Sequence, residues 1–275
     1  MQDKNPLSIY GPWIENVSEL HETFSSAKPF EHVIIPNFLR EDLADTLHKL
    51  FPLPHEETVQ WFHYDNPIEK KFATHDFEKP SLIQFKQIFD ILQSEETLKL
   101  FRRITGISGL ESDPYLHGAG LHAYPSNGKL DMHLDYSIHP KSGKERRCNL
   151  IYYLNKEWNP VWGGNLQLRD TTLTEIKEVP LQWNTAVLFR TCDESFHGFP
   201  VPIQAPPLTY RKSLAIYYVS DPRPEATPRY MAQFSPLPGQ TVTPMLKRLY
   251  EIRPKRLITP ADLDLDWRSQ GQGFW

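Results

Sequence analysis

Met132-His133-Leu134-Asp135-Tyr136 sets large apolar side chains in alternation with an imidazole and a carboxylate. Successive side chains of a strand point to opposite faces, so residues i and i+2 share one. His133 and Asp135 therefore stand side by side, while Met132, Leu134 and Tyr136 turn toward apolar packing. The same texture extends outward from this stretch. From Gly118 on, short runs rich in Tyr, Ile, Leu and Val are punctuated by Gly, Pro, Asn and Asp. That pattern predicts strands over 120–124, 132–136, 148–155, 165–170, 174–179, 185–190, 196–201 and 211–220. Strands spaced in this way predict an antiparallel sandwich, barrel or jelly roll.

Upstream the periodicity changes. Glu31-His32-Val33-Ile34-Ile35-Pro36 reads as a short strand, and Leu39, Leu43, Leu47 and Leu50 then recur at helical spacing. Leu82, Phe85, Ile88, Phe89 and Leu92 predict a second helix, with Pro80 tolerated in its first turn. Ser94 followed by Glu95 and Glu96 predicts the capped start of a third, running to about Ile104. Downstream, 221–239 is a Pro-rich loop, and Met245-Leu246-Lys247-Arg248-Leu249-Tyr250 offers a short helix before a polar tail. The expected architecture is mainly β with N-terminal helices (α+β) in one domain, 1–275. It comprises a helical layer over 1–117, a strand-rich core over 118–220, and a Pro-rich and helical extension over 221–275.

Composition bounds the function. Hydrophobic content of 39% and charged content of 23% are near globular averages, which argues against wholesale disorder. A net charge of −4 argues against nucleic acid as a partner. No apolar run approaches the roughly 18 residues needed to cross a bilayer, so no membrane partner is expected. Met1-Gln2-Asp3-Lys4-Asn5-Pro6 lacks the apolar segment of a signal peptide, and the expected location is cytoplasmic. Cys148 and Cys192 are the only cysteines, read as reduced thiols. The 25 prolines imply many turns and irregular connections rather than a helical bundle.

One further imidazole from another strand would complete a two-histidine, one-carboxylate arrangement that leaves iron positions open. His197, in Ser195-Phe196-His197-Gly198, is placed to supply it, with a glycine that would keep the approach to a metal uncrowded. An H-x-D triplet alone is a weak signal in a chain with 11 histidines, and His63-Tyr64-Asp65 is a second one. That triplet lies in a polar, Pro-bounded stretch without a clear strand pattern, so His63 is read as structural. The His133 triplet sits among periodic strands and is followed by a distant His and by Arg211 at the head of a strand.

Five features together carry a family resemblance: the turn Tyr124-Pro125-Ser126-Asn127-Gly128, the H-x-D at 133–135, and Ile151-Tyr152-Tyr153-Leu154-Asn155-Lys156-Glu157-Trp158. The fourth is Gly163-Gly164 ahead of the alternating Leu166 and Leu168, and the last is Arg211-Lys212-Ser213-Leu214-Ala215-Ile216-Tyr217-Tyr218. On these residues the chain resembles the Fe(II)/2-oxoglutarate oxygenases of prolyl 4-hydroxylase type, the hypoxia-sensing enzymes in particular. The likeness runs from about His32 to Ser220 and is closest between Tyr124 and Tyr218. It implies a double-stranded β-helix with a metal in its mouth, Fe(II) held by His133, Asp135 and His197, and 2-oxoglutarate paired with Arg211. It also implies that Tyr124 and Tyr153 help hold the co-substrate, and that O2 is consumed, with ascorbate a candidate reductant. The implied activity is hydroxylation of an unactivated C–H bond with release of succinate and carbon dioxide.

A prolyl or other peptidyl substrate is favoured by the resemblance. A small-molecule metabolite remains open, as does a non-catalytic β-sandwich binding module. Against the module stands the joint presence of the triad and Arg211, whose guanidinium fork suits the far end of a dicarboxylate. Two connections depart from the family. The interval from His197 to Arg211 is longer, and so is 137–147, which carries Lys141, Lys144, Arg146 and Arg147. The second is expected either to form a cationic rim that attracts an anionic substrate or to be an ordinary solvated loop.

Overall fold

Apolar positions at helical spacing build the N-terminal third of the computed structural model, which describes residues 6–75 and 77–263. Met1 to Asn5, read above as free of a signal peptide, and the polar tail from Asp264 lie outside the described residues. Helix α1 (Val17–Ser26) precedes strand β1 (His32–Ile35) and helix α2 (Glu41–Leu50), which buries Leu43, Ala44 and Leu47. A hairpin of β2 (Phe62–Asn66) and β3 (Glu69–Thr74) follows. Helix α3 (Ile83–Leu92) buries Phe85, Ile88, Phe89 and Leu92. In α4 (Glu95–Thr105) the Ser94 hydroxyl accepts from the Thr97 amide, and Gly106 ends the helix in the left-handed region.

The strands then come in series: β4 (Glu111–Ser112), β5 (Gly120–Tyr124), β6 (Lys129–Leu134), β7 (Glu145–Tyr153), β8 (Leu166–Arg169), β9 (Ile176–Val179), β10 (Thr185–Arg190), β11 (Phe196–Phe199), β12 (Arg211–Ser220) and β13 (Gln233–Phe234). Helix α5 (Pro244–Ile252) follows, capped by Thr243. The sheet order is β1-β10-β7-β12-β5-β3-β6-β11-β8-β9; β2 also pairs with β3, β4 with β12 and β13 with β6. Because β3 bonds both β5 and β6, it bridges two walls into a nearly closed antiparallel jelly roll. Alternation sorts the large wall. Leu150, Tyr152, Leu214 and Ile216 pack outward in one cluster with helical Phe85, Phe89 and Phe101. Tyr153, Val187 and Phe189 face inward, into the cup that the walls enclose, and cluster with Leu166 and Leu168.

Three expectations change. The hairpin β2–β3 places His63 and Asp65 on a regular strand, so strand geometry does not separate the two H-x-D triplets. β6 ends at Leu134, which leaves Asp135 one residue past its strand. β7 starts at Glu145, and that draws Arg146 and Arg147 out of the expected basic loop into buried positions, 3% and 9% exposed. Lys144 is tied to Glu111 (2.9 Å) and Asp221 (2.8 Å), and Lys141 lies over the Tyr115 ring. A free cationic rim over 137–147 is therefore not present. Cys148 and Cys192 are unpaired. Among the described residues no helix is long and apolar enough to cross a membrane.

Candidate metal and co-substrate site

Strand β11 runs antiparallel to β6 with His197 directly opposite His133, and the two ring centroids are 4.3 Å apart. The Asp135 carboxylate reaches both rings: Oδ1 is 3.6 Å from His133 Nε2, and Oδ2 is 3.3 Å from His197 Nε2. Donor atoms of the three side chains all lie within 4.8 Å of one another, the one such group found among the described residues. Each histidine Nδ1 lies 3.0 Å from a backbone carbonyl, that of Asp131 for His133 and that of Ser195 for His197. A carbonyl only accepts, so Nδ1 carries the proton and Nε2 presents its lone pair inward, the tautomer a metal requires. Burial and the neighbouring His197 lower the His133 pKa, which keeps the ring neutral and available.

Asp135 is held from behind. Arg146 Nη2 is 2.9 Å from Oδ2, and Asn149 Nδ2 donates to the same oxygen at 2.7 Å. Arg146 Nε in turn donates to Asn149 Oδ1 at 2.8 Å, and the guanidinium packs between the Tyr217 and Tyr136 rings. Burial alone would raise the Asp135 carboxyl, but the charges of Arg146 and His197 and its hydrogen bonds hold it well below the usual carboxylate range. The result is a permanent carboxylate whose Oδ2 is held by Arg146 and Asn149 beside His197, with Oδ1 turned to His133. The donor set, two neutral imidazoles and one carboxylate, suits Fe(II) and leaves open positions for exchangeable ligands.

Arg211, Tyr124 and Tyr153 come together on adjacent strands of the large wall, with Tyr124 opposite Arg211 in register. Arg211 is only 2% exposed, yet no carboxylate among the described residues pairs with it. Its Nε donates to the Gly164 carbonyl at 2.8 Å, and the guanidinium lies 4.5 Å from the Phe199 ring centroid, 5.0 Å from Tyr153 and 5.2 Å from Tyr124. The Tyr153 hydroxyl is buried without a hydrogen-bond partner. A sequestered cation beside an unsatisfied hydroxyl is a site for an anion, because an unpaired buried charge is costly. Gly164 makes room for it: φ is +84°, and a Cβ there would meet Arg211 Cδ and Ile203 Cγ1 at 3.3 Å. The pocket thus fits one end of 2-oxoglutarate.

His63 is not part of this site. It stacks on Phe72, 4.4 Å between centroids, with its Nε2 3.9 Å from Asp65 in the hairpin. Gly198 serves the site differently from the expectation. A Cβ there would meet the Leu130 and Asp131 carbonyl oxygens at 2.7 and 2.8 Å, so it makes room for strand β6 rather than for a metal. Sequence reasoning missed Asn149, Arg146, His122 and Lys71. Two of them carried a signal: Asn149 shares the inward face of its strand with Tyr153, and His122 shares one with Tyr124.

The comparisons with known proteins agree with this geometry. Residues 119–219 match the family model of the 2OG-Fe(II) oxygenase superfamily. A prolyl hydroxylase from Trichoplax adhaerens, solved in complex with a hypoxia inducible factor oxygen degradation domain peptide fragment, is similar at 16% identity. The match covers 78% of this chain and 96% of that one, with a TM-score of 0.56. A Pseudomonas putida prolyl-4-hydroxylase is similar at 16% identity, covering 75% and 100%, TM-score 0.51. The non-heme alpha ketoglutarate dependent epimerase SnoN from nogalamycin biosynthesis is similar at 13% identity, covering 84% and 92%, TM-score 0.51. At these identities the structural likeness establishes the fold. No curated protein matches the chain. Residues 119–219 thus match an enzyme superfamily whose cofactor and co-substrate are Fe(II) and 2-oxoglutarate, and His133, Asp135 and His197 are the donor set that such a metal needs.

Proposed function

We propose that the protein hydroxylates an unactivated C–H bond of a prolyl residue or related substrate, with His133, Asp135 and His197 as the iron ligands. In this reading Arg211 binds the far carboxylate of 2-oxoglutarate, and the Tyr124 and Tyr153 hydroxyls complete its hydrogen bonding. The carrying observation is the buried Arg211, unpaired with any carboxylate among the described residues and packed on the ring of Phe199, two residues past the triad's His197. When bound, Fe(II) and 2-oxoglutarate supply oxidation by dioxygen with release of succinate and carbon dioxide. The chain's own part is to hold and exclude. Arg146 and Asn149 fix the Asp135 carboxylate, the Asp131 and Ser195 carbonyls fix the imidazole tautomers, and Phe189 and Phe234 pack on the two rings.

The prolyl reading is supported by two of the structural neighbours, which are prolyl hydroxylases, and both are likenesses of fold. A small carboxylate-bearing metabolite is the second reading, favoured by the cation Lys71, which falls opposite Tyr124 on the neighbouring strand. Succinate release from the iron-loaded protein, measured across prolyl peptides and small-molecule acids, tests both. Stimulation by one class above the rate without substrate assigns it, and stimulation by neither removes the prolyl proposal.

A further inference from the structure

Lys71 is an inward cation that the oxygenase reading does not use. In the pairing of β3 with β5, Phe72 faces Ala123, so Lys71 falls opposite Tyr124, and Tyr124 faces Arg211 on β12. Three adjacent strands therefore carry a row of cation, phenol and cation on the inner face of the cup. Strands lie about 4.8 Å apart, so the two cationic positions are separated by about 10 Å across the sheet. That spacing leaves room on the inner face for the carboxylates of two different molecules.

The surroundings of Lys71 leave its charge only partly answered. Its Nζ is 3.4 Å from Glu69 Oε2 and lies over the Tyr64 ring, and Glu69 is shared with Arg253, whose Nε is 3.5 Å away. One carboxylate thus serves two cations. Around the cup stand Lys71, Arg253, Arg146 and Arg211 against Glu69 and Asp135, an excess of two positive charges. Bound Fe(II) and the 2-oxoglutarate dianion cancel each other, so the excess survives when both are in place. His122, the next inward position on β5, adds no negative charge. Burial, then Lys71 and Arg211, push its pKa down to about 3, and the ring stays neutral. The Lys71 side chain is 15% exposed, so it is not wholly enclosed. A low-dielectric cleft with surplus positive charge concentrates anions.

We propose that Lys71 binds a carboxylate of the substrate, on the opposite side of Tyr124 from the co-substrate carboxylate held by Arg211. The inference rests on the oxygenase reading for the placement of 2-oxoglutarate and deepens it by naming the substrate's chemistry. Two sources can supply that carboxylate, a free amino acid or an acidic residue of a peptide.

The test uses the full chain with Mn(II) and N-oxalylglycine, an unreactive 2-oxoglutarate analogue, filling the triad and Arg211. Dissociation constants are measured by calorimetry for L-proline against L-prolinamide, and for end-capped Ala-Pro-Glu-Ala against Ala-Pro-Gln-Ala. The expected result is that the acid of at least one pair binds about tenfold or more tightly than its amide. Preference in the first pair assigns a small molecule, and in the second a peptide. Lys71→Met should abolish the preference and Lys71→Arg should keep it, with N-oxalylglycine affinity unchanged in both. Lys71→Gln, which retains a donor toward Glu69, guards against a folding defect. No preference in either pair, or one that survives Lys71→Met, overturns the proposal. Failure of N-oxalylglycine to bind the wild type contradicts the oxygenase reading instead.

Discussion

His133 and His197 face each other across an antiparallel pair, in register, at a point where the residue after His197 has no side chain. The register depends on Gly198, because a Cβ there would press on two carbonyl oxygens of β6 closer than real Cβ atoms approach. Gly198→Ala should therefore push β11 away from β6 and spread the two Nε2 donors. We expect a stability loss of about 1–3 kcal/mol and metal affinity reduced at least tenfold, measured by thermal unfolding and Fe(II) titration. Wild-type metal affinity in this variant would show that the strand spacing has slack.

The second H-x-D provides an internal control. His133→Ala should remove Fe(II) binding. His63→Ala should leave it intact and cost only the stacking on Phe72, about 0.5–1.5 kcal/mol. Equal loss of metal from both folded variants would contradict the assignment.

Residues that pack apolar faces announced themselves in the sequence. β10 and β12 have the bounds that alternation predicts, and α4 starts and stops at Ser94 and Gly106. The hairpin did not. Phe62 and Tyr64 share a face with Asn66, opposite His63 and Asp65, so neither face is wholly apolar, and β3 owes its place to pairing with β5 and β6, which local sequence does not encode. Arg146 and Arg147 read as loop because charge normally marks the surface. Their burial depends on Asp135 and on Ser220, 73 positions away from Arg147. Lys71 was silent for the same reason: its meaning comes from Tyr124 across the strand. His133, His197 and Arg211 were legible because regular strands carry them, and Asp135 follows one residue past the end of β6.

His122 gives the protein an acid-sensitive element. Burial, Lys71 and Arg211 lower its folded pKa from 6.5 to about 3. Between those values the unfolded chain holds a proton that the folded chain does not, so stability falls as pH falls through the window. The slope from this group is about 1.4 kcal/mol per pH unit. Metal-free wild type should lose stability between about pH 6 and pH 4, and His122→Phe should lose correspondingly less, by denaturant unfolding at each pH. Parallel curves for the two proteins would show that His122 is not held neutral.

The pairing of Arg211 with the co-substrate carries the whole account, and anaerobic calorimetry of 2-oxoglutarate binding addresses it directly. With one equivalent of Fe(II), the wild type should bind one 2-oxoglutarate, and His133→Ala should lose that metal-dependent binding. Arg211→Ala should still bind Fe(II) but hold 2-oxoglutarate more weakly by roughly one to three orders of magnitude, the cost of removing one end of a buried charge pair. Its metal-free melting temperature should change little, since the substitution removes the bond to Gly164 and the ring packing but also a buried guanidinium without a carboxylate partner among the described residues. Unchanged 2-oxoglutarate affinity in folded, iron-loaded Arg211→Ala would contradict the account.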